Sequence, residues 1–427
     1  MRVKTVPGIL LALAVLTIGC SSDDSTPPPT TGRLRGGVVD IAGGSPLAGV
    51  RVVLYDANSN NPVATYSTSV GGTFEADLPA GTYFLRCSKQ GYDETPPREI
   101  SPFPLGVTPG QTTSTTVQMP ASTVANAGAI SGTVTNAGKG VANVLVVAQS
   151  GTNGYSSVTD ASGAYAIYNI PASQCTVRAW TSALVSNQIQ LSLAAGVEAV
   201  NTNLTLSTGT TGTVTGSITF LSTTNIEVDV ALLNPLTRQA IPGLSVTTQN
   251  TNYAIASVAP GTYLARATYR NDGKVVDPDW IVKNGEPLVT VNGGSASRPF
   301  SLTGAIELLS PTNGASSAQP VDVAGTLPTF TWEAYSSADH YIPEVINQSG
   351  KVIWGGFSSD WAVRRVLLPK TQTSIRFNAD STATESLVPG RTYRWKVYVS
   401  KDDAKEPLGW KLISVSEDQR GLIKIVP

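Results

Sequence analysis

The chain has 427 residues, 29 basic and 30 acidic side chains, a formal net charge of −1 and only 14% charged residues. This balance excludes the clustered positive charge that phosphate backbones require, so no nucleic-acid partner is expected. At roughly 150 residues per domain the length predicts about three domains, or four if they are β-sandwiches of about 80–110 residues. The chain opens on a targeting segment: Arg2 and Lys4 precede an apolar run over residues 7–18 that is too short to span a bilayer comfortably.

The run ends in Leu16-Thr17-Ile18-Gly19-Cys20. This resembles the bacterial lipobox, in which a small residue precedes a cysteine that is acylated and becomes the new N-terminus. Thr17 departs from the aliphatic residue usual at its position. The resemblance implies that 1–20 is a lipoprotein signal peptide, that Cys20 is the lipidation site and that acyl chains hold the protein on a membrane. Residues 21–31, SSDDSTPPPTT, carry three prolines and no apolar side chain, and read as a disordered tether with polyproline-like character. The acidic Ser-Ser-Asp-Asp stretch is similar to the export signal of some surface lipoproteins, and reads equally well as a soluble linker.

One segment type then recurs three times. The opening strands are Leu34-Arg35-Gly36-Gly37-Val38, Ile130-Ser131-Gly132-Thr133-Val134 and Val214-Thr215-Gly216-Ser217-Ile218. The late strands begin Leu78-Pro79-Ala80-Gly81-Thr82-Tyr83, Ile170-Pro171-Ala172-Ser173-Gln174-Cys175 and Ala259-Pro260-Gly261-Thr262-Tyr263. Period-two alternation puts Tyr83, Leu85 and Cys87 inward, as it does Cys175, Val177 and Ala179, and Tyr263, Ala265 and Ala267. Arg86, Arg178 and Arg266, three positions after the motif residue, fall on the wet face, as does Lys396 further on. One buried and one wet face predict tandem antiparallel β-sandwiches, all-β throughout. The expected domains are 32–120, 127–207, 212–303 and 304–427. The connections between them are short, which predicts a rod of independently cored modules.

The three repeats resemble the carboxypeptidase regulatory-like domain, a transthyretin-like sandwich. The first copy carries the resemblance through Gly36, Val38, Pro46-Leu47-Ala48-Gly49-Val50, Thr68, Gly72, Phe74 and Pro79 to Tyr83. The second does so through Gly132, Val144, Thr159-Asp160-Ala161-Ser162-Gly163 and Pro171, and the divergent third mainly through Gly216 and Pro260-Gly261-Thr262-Tyr263. The repeats are also similar to collagen-adhesin B domains, whose crosslink needs a lysine on the first strand. Arg35, Ser131 and Thr215 stand there, so no such crosslink is expected. Residues 304–427 differ, holding Trp332, Trp354, Trp361, Trp395 and Trp410. They resemble a fibronectin type III-like domain through Trp332, Tyr393 and Trp395, with Trp332 and Trp395 in its core.

The regulatory-like resemblance invites a peptidase reading that the residues oppose. A zinc carboxypeptidase needs two histidines and a glutamate on the metal, and the chain has one histidine, His340. No Gly-x-Ser-x-Gly elbow or Ser-x-x-Lys pair is present. Cys87 and Cys175 fit no redox or zinc spacing and read as small buried apolar side chains. Asp277-Pro278-Asp279 and Asp402-Asp403 read as solvated loop acids, and Asp160 as an Asx-turn residue rather than a calcium ligand. The expectation is a non-enzymatic protein without metal or cofactor, anchored at the outer membrane or cell surface. It would be an adhesive stalk that presents its last domain. The alternative is a carbohydrate-binding lipoprotein: Trp354, Phe357 and Trp361 lie close together beside Gly and Ser, and flat exposed rings there would stack on a glycan or anchor a surface protein.

Overall fold

The computed structural model describes residues 29–57, 59–96, 105–220, 228–268, 273–314, 320–347, 351–417 and 420–426. The expected signal peptide with Cys20, and most of the 21–31 tether, lie outside the described residues. Among the described residues the regular secondary structure is almost entirely β-strand, and no helix is long and apolar enough to cross a membrane. The helix there, Pro278–Asn284, takes its N-cap from Asp277, whose side chain accepts from the Asp279 backbone N–H.

Alternation sets the strands. Gly81–Lys89 buries Tyr83, Leu85 and Cys87; Ser173–Trp180 buries Cys175, Val177 and Ala179; Gly261–Thr268 buries Tyr263, Ala265 and Ala267. The three repeats pair alike, including the divergent third. In one sheet, Arg51–Asp56 lies between Pro62–Ser67 and Gly81–Lys89, Leu145–Ser150 between Asn153–Val158 and Ser173–Trp180, and Val228–Leu233 between Ala240–Thr248 and Gly261–Thr268. In the other, the opening strands Thr31–Asp40, Gly128–Asn136 and Gly212–Phe220 run antiparallel to Thr73–Pro79, Ala164–Ile170 and Asn252–Val258. Each opening strand also runs parallel to a closing strand: Thr112–Met119, Leu204–Ser207 and Phe300–Gly304. The expected purely antiparallel sandwich is therefore mixed in one layer. The intervening strands of the opposite layer supply the long crossover that parallel neighbours need.

The repeated opening glycine has a structural cause. Gly36, Gly132 and Gly216 sit directly opposite Phe74, Tyr165 and Tyr253. A Cβ at Gly36 would meet the Phe74 ring, at Gly132 the Thr202 carbonyl, and at Gly216 both the Arg298 carbonyl and the Tyr253 ring. The tyrosine hydroxyls then donate to those same carbonyls, Tyr165 to Thr202 at 2.5 Å and Tyr253 to Arg298 at 2.6 Å. The glycine leaves room for an aromatic ring on the neighbouring strand to cover the backbone. Thr68 and Thr159 are equivalent in the same way. Each buried hydroxyl donates to a loop carbonyl, Leu47 at 2.6 Å or Val141 at 2.7 Å, and accepts from a strand N–H, Val50 or Val144, both at 2.9 Å.

The first, second and C-terminal sandwiches each keep a core of their own, but the outer faces of the first two are covered by neighbours and do not meet water as expected. Val53, Tyr55 and Phe84, on the outer face of the first sandwich, join Leu145 and Val147 of the second in one buried cluster with the core of the third. Arg51 crosses from the first to the second, its Nη2 donating to the carbonyls of Val158 at 2.6 Å and Ala164 at 2.9 Å. The Asn169 side chain plugs the first sandwich's loop, donating to the carbonyls of Lys89 and Tyr92 and accepting from Gly91 N–H. Asn61 accepts from Gly243 N–H of the third at 3.0 Å. Local alternation could not reveal this, because a strand whose wet face meets a neighbour reads the same as one that meets water.

The C-terminal sandwich sets Leu308–Ser310, Thr329–Trp332 and Ser374–Arg376 against a larger sheet centred on His340–Ile346 and Thr392–Asp402. Trp332 and Trp395 fill its core, with Phe330 stacked on Trp395 at 4.7 Å. It is tied to the third sandwich: Leu412 N–H donates to Asp279 at 3.2 Å, and Ser414 Oγ to the Gly304 carbonyl at 2.6 Å.

Candidate functional site

The residues proposed as an aromatic platform do not form one. Trp354 ends up in the core, 2% exposed, edge-on to Phe377, with its indole N–H donating to Asp380 at 2.7 Å. Burial works to raise the Asp380 carboxyl, but the hydrogen bonds from Trp354 and Thr382 outweigh it and hold it below the usual range. Phe357 is also buried, on the opposite face of the larger sheet, with Ile342, Trp410 and Leu412. Its ring packs against Trp361 at 4.8 Å, Tyr398 at 5.1 Å and Trp410 at 5.9 Å. Trp361 is half-buried over Phe357, in a left-handed conformation with φ 63° that is unusual for a bulky residue. A coplanar exposed pair of Trp354 and Trp361 is therefore excluded. The segment caps an apolar sheet face, and the outward turn at Gly355 and Gly356, both at φ 67°, is what carries it there.

The groups capable of chemistry are engaged structurally. His340 is half-buried, its Nδ1 3.5 Å from Asp402. Ser400 lies opposite His340 in the sheet, but its hydroxyl accepts from Arg364 at 3.0 Å. The Arg364 guanidinium also covers the Trp410 ring at 4.8 Å. Asp279 pairs with Lys283 at 2.6 Å, and Asp403 with Lys411 at 3.0 Å. Asp160 accepts from the Ser162 and Ala164 N–H groups and the Ser162 hydroxyl, a turn arrangement that faces Arg51 at 4.0 Å. Cys87 and Cys175 are buried free thiols in separate cores, and burial pushes the Cys87 thiol up, with Glu94 adding to the effect. Among the described residues no group of three or more His, Cys, Asp or Glu side chains could hold a metal ion.

The place where polar and aromatic side chains do converge lies elsewhere. A cleft of about 350 Å³ opens between the second and third sandwiches, lined by Arg178, Trp180, Gln149 and Gln188 on one wall and Asn234 and Leu236 on the other. Arg178 is not on a wet face, as its alternation suggested. Its guanidinium lies over the Trp180 ring at 4.4 Å and donates to the Pro260 carbonyl of the third sandwich at 2.9 Å. The sequence signal was Trp180, two positions further along the strand and hence on the same face.

The β-sandwich architecture places the chain among all-β multidomain proteins. Residues 33–120 match the family described as carboxypeptidase regulatory-like domain. No curated protein matches the chain. Among solved structures it is similar to the Bacillus anthracis TIE protein, at 15% identity over 64% of this chain and 51% of that one, with a TM-score of 0.19. The chain thus spans about half the length of that protein. It is also similar to the shaft pilin SpaA from Lactobacillus rhamnosus GG, at 11% identity, 42% of this chain, 98% of that one and a TM-score of 0.19. Catechol 1,2-dioxygenase from Pseudomonas arvilla C-1 matches at 14% identity, 24% of this chain, 55% of that one and a TM-score of 0.18.

Proposed function

We propose that this protein is a non-enzymatic, lipid-anchored surface protein in which three carboxypeptidase regulatory-like sandwiches form a stiff support for a fibronectin type III-like C-terminal domain. The observation that carries this is the interlocking of successive sandwiches. Arg51 reaches into the second, Arg178 donates to the third, and Asp279 of the third accepts from the fourth. Joints made of half-buried hydrogen bonds and shared apolar surface transmit position along a chain, which a support requires and a set of freely linked beads does not provide. The lipobox-like Gly19-Cys20 supplies the anchor and the proline-rich 21–31 the spacer.

The test is palmitate labelling of the full chain in a bacterial host, with the Cys20→Ser variant alongside. Labelling that depends on Cys20, together with protease accessibility of the C-terminal domain on intact cells, is the expected outcome. An unlabelled product cut elsewhere, or a C-terminal domain protected until the outer membrane is opened, would refute the anchored-support reading.

A further inference from the structure

The cleft between the second and third sandwiches has the makings of a binding site, and its wall is built by strand register. In the sheet of the second sandwich, Arg178 pairs with Val147 on one side and Gln188 on the other. Two residues back, Thr176 pairs with Gln149 and with Gln190. Directly opposed residues, and residues two apart on one strand, share a face. Arg178, Thr176, Gln149 and Gln188 therefore form one polar patch around a single cation. The third sandwich closes the other side with its Asn234-Pro235-Leu236 turn and with Gly261 and Thr262. Gly261 opens the late strand of the third copy, directly after Pro260. A Cβ there would stand 3.0 Å from the Trp180 ring, so the glycine lets the indole lie against the third sandwich.

Two features of the patch are unsatisfied. Among the described residues no carboxylate pairs with Arg178, whose guanidinium is held by a carbonyl and an aromatic ring, and burial lowers its basicity. The Trp180 indole N–H is buried and has no hydrogen-bond partner.

We propose that this cleft binds a carboxylate-bearing saccharide, a hexuronate unit, with Arg178 on the carboxylate and Gln149, Gln188 and Thr176 on the hydroxyls. The chemistry of the wall selects that class. Among the described residues Arg178 is the only charged one lining the cleft, so a free amino acid would have no carboxylate partner there for its ammonium group. A phosphate ester would find one guanidinium where bidentate clusters are usual. A neutral sugar would leave the desolvated cation unpaired. Amide and hydroxyl side chains, each both donor and acceptor, suit sugar hydroxyls. The volume of about 350 Å³ falls at the small end of ligand clefts, about 300–1,000 Å³.

The experiment is calorimetric titration of the full chain in detergent with digalacturonate, and in parallel with galactobiose, N-acetylglycine and inorganic phosphate. Digalacturonate should bind saturably, and at least about tenfold more tightly than the neutral disaccharide, the ratio expected of one charge-assisted hydrogen bond at a buried cation. Arg178→Gln should remove that preference. Because Arg178 also bonds the third sandwich, Gln188→Glu is the cleaner variant. The residue is exposed and opposite Arg178, and the new carboxylate would occupy the guanidinium and repel the ligand, lowering affinity at least about tenfold without a change in melting behaviour. Absence of uronate binding, equal affinity for galactobiose, equal or tighter binding of N-acetylglycine or phosphate, or uronate binding unchanged in a folded Gln188→Glu chain would each overturn the proposal.

Discussion

Arg51→Ala tests whether the first two sandwiches behave as one body. Arg51 is almost wholly enclosed, its side chain 13% exposed, and burial lowers its basicity while Asp160 opposes the effect. Truncation removes the cation together with its own desolvation penalty, so the loss is governed by what it leaves behind. The Val158 carbonyl loses its 2.6 Å donor, at a cost of about 1–3 kcal/mol for a buried acceptor. The Ala164 carbonyl loses a 2.9 Å donor but still accepts from the Asp160 N–H at 2.9 Å, so its share is smaller. Lost packing of the arginine stem adds a little more. The sum is about 2–3 kcal/mol, located at the joint and not in either core. Differential scanning calorimetry should therefore show the shared transition of the first two sandwiches separating into two, with the first melting earlier, while the C-terminal transition stays in place. A variant that melts as the parent does, or that lowers every transition equally, would refute the claim that Arg51 couples neighbouring sandwiches.

Other consequences can be checked in the same preparations. Gly132→Ala forces a methyl group onto the Thr202 carbonyl and should destabilise the second sandwich by about 1–3 kcal/mol in urea melts, whereas the exposed strand glycine Gly106, with open space around it, should tolerate alanine. Trp354→Phe should lower C-terminal stability by about 2 kcal/mol through lost volume and the lost bond to Asp380, and NMR titration should find the Asp380 carboxyl higher than in the parent. Glu344 is buried, and desolvation raises its carboxyl above the ordinary range, partly offset by Lys396 and by the Tyr398 hydroxyl. Because the folded value lies above the unfolded one, the penalty is absent below about pH 4 and grows as pH rises from the unfolded toward the folded value. Glu344→Gln should therefore raise the C-terminal melting temperature at about pH 7 and leave it nearly unchanged at about pH 4; the reverse pattern would contradict the sign of the shift.

Much of the architecture was legible because it is local. Alternation in Tyr83, Leu85 and Cys87, and in Cys175, Val177 and Ala179, identifies the inward face from sequence alone. The glycine–aromatic pairs were also there to be read, as Gly36 with Phe74, Gly132 with Tyr165 and Gly216 with Tyr253. What escaped is what depends on a second surface. Phe84 alternates out of its own core and is buried all the same, because a neighbouring sandwich covers it. Arg178 looks like a solvated cation until the third sandwich brings Pro260 to it. Trp354 and Phe357 look like one cluster, yet they fall on opposite faces of a sheet, separated by the Gly355-Gly356 reversal. Parallel neighbours escape for a related reason, since no short-range pattern records which distant strand lies alongside.

That side-by-side arrangement of first and last strands bears on how the molecule would respond to tension. In the first sandwich the backbone enters along Arg33 to Asp40 and departs along Thr112 to Met119, in step and pointing the same way. A pull on the two ends slides these ribbons lengthwise against each other, so every rung of the ladder strains together and none opens ahead of the rest. The second and third sandwiches repeat the geometry. A load drawn through these three sandwiches would then be met, in each, along the direction in which a β ladder is hardest to part.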